Sequence, residues 1–210
     1  MKKSKLNKQI KISLLAVIAF LLMFIEVPIP IFPDFLKIDI SDLPALLGAF
    51  TFGPIAGVVV EFFKNLLHGI FVGKTAFIGE LSNFIGGSVL VIIAGSIYKF
   101  KKDKKGAIIA LISGSIVMSL VAGILNYYIY LPLYEKVLGF PINAIIGMGS
   151  KVNPKVVDLK TLIVWSIIPF NLLKGFVVCI VTRVVYKSLS PILHKEEVKV
   201  VEEKKSLNYK

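Results

Sequence analysis

Between Lys11 and Lys187 the chain alternates long apolar stretches with short polar interruptions. The apolar stretches run near twenty residues, the length an α-helix needs to cross a ~30 Å hydrocarbon core. A membrane β-barrel would instead need ~10-residue segments of alternating polarity, and no such period is present. The pattern predicts an all-α, polytopic membrane protein with spans at roughly 11–31, 41–52, 54–72, 77–98, 106–131 and 161–186. Residues 41–72 as one helix would be about 48 Å long, well beyond the core. Gly53-Pro54 lies in their middle, and proline removes a backbone donor while disfavouring helix in the residue before it. Two spans are expected there, making six transmembrane helices.

Composition supports this reading. With 56% apolar residues and a mean hydropathy of +0.81, the chain has too few polar residues to clothe a soluble surface. The formal charge of +12 could suggest nucleic acid, but its distribution argues otherwise. MKKSKLNKQIK and KFKKDKK hold five lysines each, and seven more basic residues follow Thr182. Clusters at the ends of spans mark cytoplasmic segments, so both termini are expected to be cytoplasmic, as an even number of crossings requires. Basic and aromatic residues do not interleave as on a nucleic-acid platform, so the bilayer is the expected partner and nucleic acid is not. No small-x-small cleavage site precedes Glu26, so the first apolar run reads as a retained span.

This topology places 32–40, 70–77 and 132–160 outside. The first loop with its flank, EVPIPIFPDFLKID, carries three prolines and reads as stiff and extended, and the third is long enough to form a lid or partly helical cap. Residues 1–190 form one membrane domain, and 191–210 read as a charged, disordered cytoplasmic tail. Small residues at Ala45, Ala49, Gly53 and Gly57, and at Gly106, Ala110 and Gly114, predict close helix packing. The single cysteine, Cys179, permits no internal disulfide.

Catalytic and metal chemistry find little support. HGIFVGKT (68–75) has His68 where a phosphate-binding loop needs glycine, and no strand precedes it. No H-E-x-x-H or triad pattern occurs, so neither catalytic residues, a metal nor a cofactor are expected. The informative residues are polar groups inside the spans. Asn171 and Lys174 are three apart in IPFNLLKGFVVCIV, hence on one face, with Pro169 bending the helix just before them. A lone charge at mid-depth costs roughly 2.5–3.5 kcal/mol, so Lys174 must face a polar cavity or pair with a carboxylate such as Glu61 or Glu80. Asn126 lies near the tightly packed face of the fifth span. Glu61, Lys64 and Asn65 have the spacing of an internal ion pair, and Asn83 serves either a helix start or the site. Several amides, one ammonium and abundant apolar residues suit a flat, largely uncharged, oxygen-rich ligand.

The chain also resembles a known family. SDLPALLGAFTFGPIAG (41–57), FKNLLHGIF (63–71), ILNYYIYLPLY (124–134) and IPFNLLKG (168–175) are similar to motifs of the riboflavin-specific S components of energy-coupling factor (ECF) vitamin transporters. The resemblance spans about residues 11–190. It implies a multi-pass subunit of the bacterial cell membrane that captures riboflavin outside and has no enzymatic activity. It also implies partners, a coupling transmembrane protein and two ATPases, with which the subunit delivers its vitamin. By the family's pattern Asn126, Asn171 and Lys174 hydrogen-bond the ligand, while Asp42, Leu43, Pro44 and Ala45, with Thr51, enclose its ring. One departure concerns the first span. The family's Ala-x-x-x-Ala docking pair is matched by Ser13 and Val17, with Ala16 and Ala19 nearby. The rival readings are an S component for flavin mononucleotide or another vitamin, and a stand-alone secondary transporter.

Overall fold

The computed structural model describes residues 2–185, so the tail expected over 191–210 lies outside the described residues. Seven helices and one hairpin make up this part. Helix α1 (Lys2–Leu22) leads into strands β1 (Val27–Pro28) and β2 (Lys37–Ile38), which pair antiparallel with Val27 opposite Ile38. Then follow α2 (Asp42–Phe52), α3 (Pro54–Phe71), α4 (Ile78–Phe100), α5 (Lys104–Leu138), α6 (Ile142–Val152) and α7 (Leu159–Val185). Helices α3, α4, α5 and α7 are long and apolar enough to cross a membrane, and α2 is a shorter apolar helix of eleven residues.

The break at Gly53-Pro54 falls where expected. Gly53 has φ +98°, a conformation L side chains rarely adopt, and Pro54 takes the first helical position, where its missing N–H costs no intrahelical bond. Elsewhere the boundaries differ from the sequence pattern. Helix α1 begins within the lysine-rich start and ends at Leu22, nine residues before the expected limit of 31. The proline-rich loop is not simply extended, because Phe32 and Ile38 have a buried partner, Phe170, that folds the segment into a hairpin. Helix α5 runs to Leu138, about 52 Å at 1.5 Å per residue, so it overshoots a ~30 Å core. The long loop contains α6, the helix beyond the expected six. Its Ile145 packs with Leu131 of α5 and Leu162 of α7, capping one end of the bundle.

Small residues build the interior. Ala45, Ala49, Ala94 and Ala110 are buried with Leu46, Val60, Leu90 and Val91 in the main core. A Cβ on Gly57 would lie 2.9 Å from the Ala45 carbonyl oxygen, the Ala49 Cβ and the Val91 Cβ, so α2 and α3 approach through the stripe that the sequence displays. Outward, Ile112, Ile116, Leu120 and Ile124 of α5 are exposed at four-residue intervals, an apolar stripe suited to lipid. Gly57→Ala should therefore lower stability by about 1–3 kcal/mol, because a backbone carbonyl cannot step aside. Thermal melting of the purified, ligand-free protein checks this.

Candidate functional site

Helices α4, α5 and α7 line a cavity of about 520 Å³. That volume lies within the ~300–1,000 Å³ of small-molecule sites. Ile167, Phe170, Asn171 and Lys174 supply one wall from α7, and Met118, Ala122, Asn126 and Tyr130 face it from α5. Asn83, Gly86 and Gly87 of α4 form a third side. Phe35, Leu36 and Asp39 line the space from the first loop, and Ile145 and Met148 line it from α6.

Two prolines shape the facing walls. Residues Asn126–Tyr130 and Ile163–Ile167 are π-helical turns, and each ends two residues before a proline, Pro132 and Pro169. A proline ring meets the carbonyl four residues back, here Tyr128 and Trp165, both inside the widened turn. Widening relieves that clash without ending the helix, and π-turns of this sort recur at functional sites. The asparagines flank them. Asn126 Nδ2 donates to the Ala122 carbonyl at 2.8 Å, and Asn171 Nδ2 to the Ile167 carbonyl at 2.8 Å. Each amide keeps its oxygen as an acceptor and its second N–H as a donor.

The floor is ionic. Lys174 Nζ lies 3.0 Å from Asp39 Oδ2 and 3.6 Å from Asp42 Oδ2. Lys64 Nζ pairs with Asp42 Oδ1, with Glu61 Oε2 at 2.9 Å, and donates to Ser41 Oγ at 3.0 Å. The Ser41 amide and hydroxyl both donate to Asp39 Oδ1. All five ionic groups are buried. Burial alone would raise the Asp39 carboxyl, but the ammoniums of Lys174 and Lys64 outweigh it and hold it below the usual carboxylate range. Its contribution to stability is thus fully present at neutral pH and lost only as pH falls below about 4. Nearer the rim, His68 Nδ1 lies 3.0 Å from Glu80 Oε1, and Thr75 Oγ1 donates to Glu80 Oε2 at 2.9 Å.

Of the residues singled out in the sequence, Asn126, Asn171, Lys174, Asp42 and Asn83 line the cavity together. Leu43, Pro44, Ala45 and Thr51 do not reach its wall. Asp42 alone of the α2 residues does so, because Ala45 is buried against α3 and Thr51 lies at the far end, next to the Phe52 carbonyl that accepts from Lys8 at 3.2 Å. The pairing of Lys174 with Glu61 or Glu80 is also corrected: its carboxylates are Asp39 and Asp42. The expected Glu61–Lys64 pair is present. Asp39 and Tyr130 were not singled out in the sequence. Asp39 is 135 positions from Lys174, beyond any local pattern, and Tyr130 is one of several tyrosines in NYYIY. Lys64→Met would strand Glu61 in the interior and leave Asp42 only Lys174 at 3.6 Å, and should cost about 3–5 kcal/mol, read as a lowered melting temperature, with Lys64→Arg losing less.

These features have counterparts in known proteins. The family described as "ECF transporter, substrate-specific component" matches residues 7–186. The chain is 42% identical over 199 residues to the riboflavin transporter RibU of Staphylococcus aureus (strain TCH60), covering 92% of this chain and 98% of that one. It is 34% identical over 194 residues to the riboflavin transporter FmnP of Bacillus subtilis (strain 168), covering 91% and 96%. A solved chain described under "Structure and mechanism of the S component of a bacterial ECF transporter" superposes with a TM-score of 0.71 at 39% identity, covering 90% of this chain and 98% of that one. With four apolar helices long enough to span, this is a multi-pass bacterial membrane protein. The chain belongs to the substrate-specific components of ECF transporters, which are substrate-binding transport subunits and not enzymes.

Proposed function

We propose that the protein binds riboflavin at the outer face of the membrane and delivers it inward together with a coupling membrane protein and two ATPases. The observation that carries this reading is the cavity itself. Its apolar sides (Phe35, Leu36, Met118, Ile167 and Phe170) suit a flat ring, and the oxygens of Asn126 and Asn171 suit the hydroxyls of a polyol chain. The ionic floor favours an uncharged ligand. Its cation, Lys174, already faces two carboxylates, and three carboxylates against two ammoniums leave one formal negative charge (3 − 2) when all are ionised. The names of the relatives, riboflavin transporters, point the same way.

In this reading α1 to α5 and α7 make six crossings with both termini in the cytoplasm, and α6 covers the outer mouth. Helix α1 turns Ser13 and Val17 outward, available to a coupling protein, whereas Ala16 and Ala19 pack inside. A second reading, flavin mononucleotide as ligand, draws on Lys74, which lines the cavity and could meet a phosphate.

Titration of the purified protein with riboflavin, flavin mononucleotide and thiamine separates these readings. Quenched flavin fluorescence is expected with riboflavin at the lowest concentration, and thiamine should not compete. Asn171→Ala and Asn126→Ala should each weaken riboflavin binding by about 1–3 kcal/mol. Lys174→Ala should weaken binding and also lower the melting temperature, because Asp39 loses its partner. Normal riboflavin affinity in all three variants would refute the site, and uptake into vesicles without coupling protein or ATPases would refute the ATP-driven mechanism.

A further inference from the structure

Residues 99–105, which end α4 and begin α5, carry five lysines and one acid, Asp103. All seven are exposed. Asp103 is committed locally, because its carboxylate accepts from the Gly106 amide and caps α5. Among the described residues, none of the five lysines forms an ion pair. Exposed lysines near the cavity and α6 are treated differently. Lys37 pairs with Glu26 at 2.9 Å, and the Lys155 ammonium lies 4.4 Å from the centre of the Trp165 ring. The 99–105 turn is thus a patch of unpaired positive charge, complementary to an anion.

Two features place that anion on a phospholipid. Helix α4 is about 34 Å long at 1.5 Å per residue, so its last residue, Phe100, lies at the edge of a ~30 Å hydrocarbon core. Phe100 is 89% exposed, more than any other large apolar side chain described, and an acidic peptide in water has no hydrocarbon to cover it. Next, Lys105 shares a face of α5 with Ile109, Ile112 and Ile116, at steps of four, three and four residues. All three isoleucines are exposed. Lys105 to Ile116 is about 16 Å, half the core thickness. One stripe therefore presents a cation at headgroup depth and apolar side chains along a single leaflet. We infer that the 99–105 turn and this stripe of α5 form a binding surface for an anionic phospholipid, with its phosphate on the lysines and an acyl chain along Ile109, Ile112 and Ile116. The surface is separate from the cavity and does not depend on the flavin reading.

The test equilibrates the full-length protein in vesicles of equal phosphatidylglycerol and phosphatidylcholine, extracts it in mild detergent and counts the retained lipids by mass spectrometry. Wild type is expected to enrich phosphatidylglycerol at least about fivefold, since a lysine near a membrane surface is worth about that factor. Equilibration in 1 M salt should abolish the enrichment, because screening then acts within about 3 Å. Changing Lys101, Lys102, Lys104 and Lys105 together to Gln should remove it. Should that variant fail to melt cooperatively, Lys101→Gln with Lys105→Gln replaces it and should lower the enrichment at least about fivefold. Lys136→Gln with Lys151→Gln, two exposed lysines toward the α6 end, should leave it unchanged. Equal retention of both lipids by wild type would overturn the assignment, as would undiminished enrichment in the folded 99–105 variants. An equal loss in the Lys136 and Lys151 variant would overturn it by showing an effect of overall charge. Displacement of the lipid by free glycerol phosphate would overturn it too, by revealing a site for a soluble anion.

Discussion

The packing around the cavity depends on two lysines buried among three carboxylates. Each ammonium alone would cost a few kcal/mol at membrane depth. Here Lys174 of α7 reaches Asp39 and Asp42, and Lys64 of α3 reaches Asp42 and Glu61. Asp42, shared by both, begins α2, and Asp39 lies just beyond the hairpin. One continuous network thus ties the last helix to the first loop and to α2 and α3. Removing either lysine leaves a carboxylate, Asp39 or Glu61, buried without its ammonium, so the network resists loss of a cation far more than its net stabilisation suggests.

The same network decides the character of the cavity above it. An unpaired lysine would make the floor a trap for anions, whereas carboxylates flanking Lys174 return it to near neutrality. The hairpin is held from a second direction by Phe32, whose ring meets Phe170 edge-on with centroids 5.5 Å apart. Phe170 lies next to Asn171, so the loop that covers the cavity and the helix that lines it are braced at neighbouring residues. Packing and polarity are therefore coupled here.

The cavity walls share a paired local irregularity. Pro132 and Pro169 each follow a π-turn by two residues, and the two turns lie on facing helices. Asn126 and Asn171 each donate one side-chain N–H within their own helix and keep the amide oxygen and the second N–H for another partner.

Local chemistry was legible in the chain. Apolar runs near twenty residues, the Gly53-Pro54 break, the small-residue stripes and the Glu61–Lys64 spacing are short-range properties, and each has its counterpart in the fold. The polar intramembrane residues Asn126, Asn171 and Lys174 were legible too, because a desolvated polar group is conspicuous wherever it occurs. Ranges in space were not. The sequence could assign Lys174 a carboxylate but not choose Asp39 over Glu61 or Glu80, since that depends on how a hairpin 135 residues away folds against α7. Nor could it tell Asp42, which turns into the cavity, from Leu43, Pro44, Ala45 and Thr51, which do not, because helix rotation is set by packing against α3 and α4. Residue type and spacing determine which groups cannot tolerate lipid, and only tertiary packing decides which partners they find.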